Sequence, residues 1–433
     1  MKKIIIKSSY GATLAISVVA ALSTFAIASV EAPLTFDRAL SQILSRSTAI
    51  AVQRTNLEAA HLSTLPAKLN FVPSLSFDAG ENWIGRSGYT TSNSQIEATS
   101  QLNLFHWGAD VAGLHAAQFD EAIQRNILDT TWLQVEDTAV AALLQVIEVR
   151  KEVEISTDIV KMQRQLLDVA NRRYQGGYLP FQEIEKLYID VENAQATLVN
   201  SQLREVNART SLDSLLGHSE LIIEWPWKDR LKEVDAQALM NESLDLSQRP
   251  DWKSAHARIE AEEERYQRNI RLLLPSLDSS LSYGNYRASA LDFKLPGSGT
   301  PAWKAGLSIS FPFFDHLVSY TNAKVQAQVR SGAEISLTQV ERQAKAEYDS
   351  AKNSFGSFLS TAVIREHTLA LSKKLFQDSF KRFQTGRIPV NDLALDQNRL
   401  FSSESLEIQG WSSAHLGFTR LCHSRGKRLS DCQ

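Results

Sequence analysis

Two kinds of periodicity alternate along the chain, and each occurs twice. Stepping by four and three residues from Leu128 gives Trp132, Val135, Ala139, Ala142, Val146, Val149, Val153, Ser156, Val160, Gln163, Leu167, Ala170 and Tyr174. All but Ser156 and Gln163 are apolar, a sustained period of about 3.5 residues that predicts helices packed with a left-handed supercoil. Extended back to Gly108, this helix has about 67 residues and a length of about 100 Å. A counterpart runs from about Ser319 to Phe383, with Ala344, Tyr348, Ala351, Phe355, Phe358, Leu369 and Phe376 on its stripe. The alanines on both stripes let neighbouring helix backbones approach closely. Each long helix stops at a glycine and the chain restarts at Pro180 or Pro389, with returning helices reaching about Leu216 and Trp411. Glycine just past a helix end and proline at a helix start are the expected punctuation.

The segments before the long helices alternate with a period of two. Ile96, Ala98, Leu102 and Leu104 oppose Gln95, Glu97, Thr99, Gln101 and Asn103; Trp303, Ala305, Leu307, Ile309, Phe311 and Phe313 oppose Lys304, Gly306, Ser308 and Ser310. Leu75, Phe77 and Ala79 oppose Ser74, Ser76 and Asp78, and Leu277, Leu281 and Tyr283 oppose Ser276, Asp278, Ser280 and Ser282. Alternation sustained over about ten residues is the signature of a membrane-barrel strand, apolar toward lipid and polar toward the lumen. Leu307 and Ile309 are the clearest lipid-facing candidates. Trp83, Tyr89, Trp107, Tyr286 and Trp303 sit near strand ends, where an aromatic girdle would lie. Ordinary hairpins packed on a core are the bland alternative.

The two halves follow one plan. Arg173-Tyr174-Gln175-Gly176-Gly177-Tyr178-Leu179-Pro180 returns as Arg382-Phe383-Gln384-Thr385-Gly386-Arg387-Ile388-Pro389 at an offset of 209. Asn103-Leu104-Phe105-His106 returns in spirit as Pro312-Phe313-Phe314-Asp315 at the same offset, and Pro73-Ser74-Leu75 as Pro275-Ser276-Leu277 at 202. The expected organisation is an export signal over 1–28, a first repeat over 29–217, a linker or equatorial segment over 218–248, a second repeat over 249–417 and a polar tail over 418–433.

Lys2, Lys3 and Lys7 precede an apolar run that ends in Ala26-Ile27-Ala28, the plan of a secretory signal peptide. No later apolar stretch is long enough for a membrane-crossing helix. Four strands cannot close a barrel, since about eight is the practical minimum and lipid tolerates no open edge. Several chains must share one barrel: two would give eight strands with a filled lumen, three would give twelve and room for a conduit.

Lys and Arg number 46 against 49 Asp and Glu, a balance that argues against nucleic acid as partner. No HExxH spacing, phosphate loop or nucleophile elbow is present, so neither catalytic residues, metal nor cofactor is expected. Cys422 and Cys432 are the two cysteines; in an oxidising compartment a disulfide is the simpler reading than a metal site with His423, and it would tie a tail of little consequence. Glu260-Ala261-Glu262-Glu263-Glu264 reads as a solvated helix face.

Taken together, the doubled helix, strand hairpin, long helix, glycine turn and returning helix resemble the TolC-type outer-membrane efflux family, over about Leu34 to Gly417. The most telling pieces are Tyr174-Gln175-Gly176-Gly177 and Phe383 through Leu393. The resemblance implies a mainly α fold with a small membrane β part. Long antiparallel hairpins would form a trimeric α-barrel in the periplasm, and four strands per chain a shared twelve-stranded β-barrel in outer-membrane lipid. It implies a passive duct, for efflux of small molecules or type I protein secretion, working with a periplasmic adaptor protein and an inner-membrane pump. It also implies an acidic ring at the periplasmic entrance, which maps onto Asp392 with Glu183 as first-copy counterpart. Tyr174, Gly177, Phe383, Gly386 and Arg387 become the turn and gate candidates. Two departures stand out: Phe383 replaces the Tyr common in the family, losing a hydroxyl, and a second acidic ring known in one member would fall on apolar Leu395 rather than Asp396. The competing reading is a soluble periplasmic coiled-coil adaptor or scaffold, which should carry a β-rich segment between its helices.

Overall fold

The structure, a computed structural model, describes residues 34–86, 89–216, 223–224, 231, 240–290, 300–311 and 316–432. The expected signal segment, the repeat match at 312–315 and most of the linker lie outside them. In chain order the elements are β1 (Leu34–Thr35), α1 (Phe36–Arg46), α2 (Thr48–Leu69), β2 (Ser74–Arg86), β3 (Tyr89–Phe105), α3 (Ala109–Gln175), α4 (Phe181–Leu216), β4 (Ile223–Glu224), α5 (Pro250–Arg271), β5 (Ser276–Ala290), β6 (Thr300–Ser310), α6 (His316–Gln384) and α7 (Val390–Ser424).

The two long helices have 67 and 69 residues. The stripe of α3 is buried where the period places it: Ala139, Val146, Val160 and Ala170, together with the polar pair Ser156 and Gln163. Ser156 is tied across the hairpin to Ser201 of α4, Oγ to Oγ at 3.1 Å. Near residues 139–147 a second face, Val140, Leu143, Leu144 and Ile147, is buried as well. There α1, α4, α6 and α7 surround α3 in one apolar cluster that includes Phe36, Ile43, Phe355, Trp411 and Leu421. Small residues bring α6 and α7 together: a Cβ on Gly417 would stand 3.2 Å from the Phe355 Cα, and one on Gly410 3.2 Å from the Ala362 Cα.

The tail departs from expectation. Helix α7 runs on to Ser424, and Phe418, Thr419, Leu421, Cys422 and Leu429 are buried rather than polar and loose. Cys422 and Cys432 form a disulfide, and Glu136 of α3 accepts from the Leu429 backbone N–H at 3.1 Å while meeting His423 Nε2 at 2.8 Å. The acidic run also differs from a solvated face, because α5 is packed between α3 and α6. Its acids meet bases there: Glu263 pairs with Arg330 of α6 at 2.6 Å, and Glu262, buried, with Arg265 at 2.6 Å. Arg265 reaches on to Asp120 of α3 at 2.6 Å. No helix among the described residues is long and apolar enough to cross a membrane.

The four long strands form one antiparallel sheet in the order β2-β3-β5-β6. The register carries the alternation across all four. Phe77, Ala98, Tyr283 and Trp303 lie side by side on one face, and Asp78, Glu97, Gly284 and Ala302 on the other. Gly284 is required there, since a Cβ would lie 2.3 Å from the Ile96 carbonyl oxygen. Leu75, Phe77, Leu281, Tyr283, Trp303, Leu307 and Ile309 are all exposed, so the apolar face has no cover within the chain. A register shift between Asn103 and Phe105 makes Phe105 the neighbour of Leu277. One detail corrects the sequence reading. Trp303, level with Phe77, lies within the apolar band rather than at its rim. Trp83 and Trp107 stand farther apart along the sheet, and Trp107 Nε1 donates to the Pro275 carbonyl at 2.8 Å. The side chains of Tyr89 and Tyr286 lie outside the described residues.

A polar chain joins sheet to helices. Asn103 Nδ2 donates to Asp278 Oδ1 and to His106 Nε2, both at 2.8 Å. That makes His106 Nε2 an acceptor, so its proton sits on Nδ1, which meets Asp110 at 3.0 Å at the start of α3.

Candidate functional site: the hairpin tips

The two hairpin tips are built alike. At the end of α3 the Gly177 N–H donates to the Tyr174 carbonyl at 2.8 Å and the Tyr178 N–H to the Arg173 carbonyl at 2.9 Å. At the end of α6 the Gly386 N–H donates to the Phe383 carbonyl and the Arg387 N–H to the Arg382 carbonyl, both at 2.9 Å. Gly177 and Gly386 sit at φ 75° and 76°, in the left-handed region that other residues enter only with strain. These paired backbone bonds satisfy carbonyls that a helix end leaves open. Pro180 and Pro389 then set the chain into α4 and α7.

Both predicted acids fall in the first turn of a returning helix. Asp392 is exposed and has no ion-pair partner among the described residues. Glu183 is half-buried and pairs with Lys186, three residues on, at 2.8 Å. Arg387 is exposed at the turn. Leu395 is exposed, whereas Asp396 is buried: it accepts from Ser379 Oγ at 2.6 Å and pairs with Arg399 at 3.0 Å. Asp396 therefore fastens α7 to α6 and adds no second charge to the tip surface.

The turn aromatics differ in environment. Phe383 is buried in a second apolar cluster with Leu166, Ala170, Ile184, Phe376, Val390 and Leu393, where the first hairpin packs on the second. Tyr174 is exposed and leans on the exposed Phe181, ring centroids 5.8 Å apart. One contributor escaped the sequence reading. Arg173 reaches from the first tip to the second, donating to the Phe383 carbonyl, with its guanidinium 4.6 Å above the Phe383 ring. The signal was available, since an arginine precedes the turn aromatic in both copies, but nothing in its type distinguishes a cap from a solvated base.

Among the described residues no cluster of His, Cys, Asp or Glu is placed to hold a metal ion. Among the described residues the tips present charge and shape, and group no nucleophile with a base.

The family model described as outer membrane efflux protein matches residues 39–218 and 243–416. Solved structures share the fold at low identity. The CusC transmembrane channel superposes with a TM-score of 0.78 at 15% identity, over 90% of this chain and 92% of that one. The Neisseria gonorrhoeae MtrE outer membrane channel gives 0.77 at 17%, over 92% and 90%. The Vibrio cholerae outer membrane protein VceC gives 0.73 at 16%, over 91% and 96%. No curated protein matches the chain by sequence.

Proposed function

The chain belongs to the outer membrane efflux protein family, channels of the outer membrane and not enzymes, and from that premise we propose that three copies form one passive export duct. The observation that carries the reading is the open sheet. Strands β2 and β6 each have one edge unpaired among the described residues, and one face presents Leu75, Phe77, Leu281, Tyr283, Trp303, Leu307 and Ile309 exposed. Lipid tolerates neither an open edge nor an unclosed sheet. Pairing β6 of one copy with β2 of the next closes twelve strands and turns that face to lipid. The helical body repeats the argument. The packing of α3 on α5 and α7 within the chain is matched by bare apolar residues on α2, α4 and α6, such as Leu62, Leu203, Val325 and Ile364, as a neighbour's equivalent helices would require.

In this duct the hairpin tips form the periplasmic mouth, where a periplasmic adaptor and an inner-membrane pump deliver cargo. Asp392 and Glu183 from three chains place six carboxylates around one opening. Their summed field in a confined, poorly screened passage favours cations over anions. The competing account makes both acids helix-start residues, each worth a few tenths of a kcal/mol beside the positive end of the helix dipole. Planar bilayers separate the two. Asp392→Asn should lower cation selectivity most, since Glu183 is partly neutralised by Lys186; Glu183→Gln should do less and the pair of changes most. Selectivity unchanged in the double variant leaves the helix-start account. Arg387, facing a neighbour's Glu183, adds a second base to that acid, so Arg387→Ser should raise resting conductance.

A further inference from the structure

The two tips share a backbone design but not a cover. On the second tip, Arg173 donates to the Phe383 carbonyl and, at 3.4 Å, to that of Gln384, and lies over the Phe383 ring. Phe383 is 1% exposed, and a Cβ on Gly386 would meet Arg173 Nη2 at 3.8 Å. At the first tip the equivalent places are empty. Tyr174 is 44% exposed, and a Cβ on Gly177 would meet nothing within 4 Å. The repeat supplies a matching donor: 209 positions after Arg173 stands Arg382, which is exposed and whose guanidinium has no hydrogen bond or ion pair among the described residues.

We propose that Arg382 makes in trans the clamp that Arg173 makes in cis, donating to the Tyr174 and Gln175 carbonyls of a second copy of this chain and covering that copy's Tyr174 ring. The proposal rests on the three-chain reading above. A ring of three chains carries six hairpins, first and second alternating. Three junctions lie within chains and are held by Arg173; the other three lie between chains. Because the copies share turn, register and offset, a near-sixfold ring brings Arg382 to the next chain's first tip as Arg173 comes to its own second tip. The chemistry suits an arginine. Last-turn carbonyls of a helix carry partial negative charge and spare acceptor capacity. A guanidinium can donate to two neighbouring oxygens while its face stacks on an aromatic ring. Arg172, the adjacent base at the first tip, is taken by Asp168 at 3.2 Å.

The test uses the full exported chain in detergent. Light scattering first counts the copies. Arg382→Cys with Gln175→Cys is then treated with a short bismaleimide; Arg173→Cys with Gln384→Cys is the control. Cys422 and Cys432 are paired and do not react. The 382/175 pair should give denatured bands of two and three chains, while the control links within one chain, read by peptide mass. In bilayers Arg382→Ala should shift the open-to-closed ratio of the resting mouth by about tenfold, the scale of a lost charged hydrogen bond. Arg382→Lys should fall between, keeping the charge without the fork. A three-chain particle whose control links but whose 382/175 pair does not overturns the clamp. A one-chain particle overturns the three-chain reading instead.

Discussion

The sheet and the equatorial helical body obey opposite rules. In the body, Trp411 and Phe355 are 1% and 0% exposed, in a cluster drawn from six helices. In the sheet, Leu75 and Ile309 are 79% and 76% exposed. Both regions have large apolar side chains at regular spacing; they differ in what solvates them. The body hides its stripe from water using its own chain, whereas in the proposed duct the sheet shows its stripe to lipid and hides its polar row inside a barrel that other copies complete. Bare apolar surface in one chain is thus evidence about surroundings, and the sheet's register tells which residues share them.

The largest break in that comparison should come from the body. Trp411→Ala leaves a void in a close-packed site where α6 and α7 are already at minimal separation, so the expected loss is about 3–5 kcal/mol. Thermal unfolding in detergent measures it. A loss under about 1 kcal/mol would mean that the site collapses freely and is no core.

Next comes a pair of adjacent residues carrying the same charge. In the proposed duct Leu307→Lys places an ammonium on the lipid side of the sheet and should cost up to about 2–4 kcal/mol, the figure for the bilayer midplane. Ser308→Lys, on the opposite face and directly across from Asp278, would face the lumen of that duct and should be neutral or gain about 0.2–1 kcal/mol. Ile309→Lys, two residues nearer the helices, should cost less than Leu307→Lys because the penalty falls toward the interface. Outer-membrane insertion yields of the three variants check this. Equal yields would remove the lipid from the comparison.

How much of this was legible in the sequence follows from how local each cause is. The 67 residues of α3 were legible because an unbroken period is bounded by Gly108 and the Gly176-Gly177 turn, and each signal acts within a turn or two. The strand faces were legible because a period of two needs no partner. What failed depended on partners. Trp303 changes from rim to band once β6 is registered on β5. The acids at 260–264 read as solvated until α3 and α6 bring His115 to Glu264 and Arg330 to Glu263. The tail 418–432 looks polar by composition, yet Phe418, Leu421 and Leu429 find a cover in the equatorial cluster. At the tips, turn chemistry was written locally in Gly177 and Gly386, but the reach of Arg173 to a carbonyl 210 residues away leaves no trace in composition.

The smallest effect sharpens the comparison from the side of charge. Glu148 of α3 lies in the helical body, and burial pushes its carboxyl pKa up; a hydrogen bond with Ser412 opposes the shift and Glu152 adds to it. A carboxyl with a raised folded pKa holds its proton to higher pH in the folded state than in the unfolded chain. Stability therefore falls as pH rises from the ordinary glutamate range through the raised value, and the whole cost is present above it. Glu148→Gln keeps an oxygen for Ser412 and cannot ionise. The variant should melt higher than the parent at pH 7, and the difference should vanish toward about pH 3, below the ordinary glutamate range, where the parent is protonated in both states. A gap that stays constant between those two pH values would assign the effect to packing rather than to taking a charge out of water. On the polar row of the sheet, by contrast, Asp278 accepts from Asn103 Nδ2 at 2.8 Å and from Ser276 Oγ at 2.9 Å, so its partners are polar neighbours on one sheet face rather than packed helices.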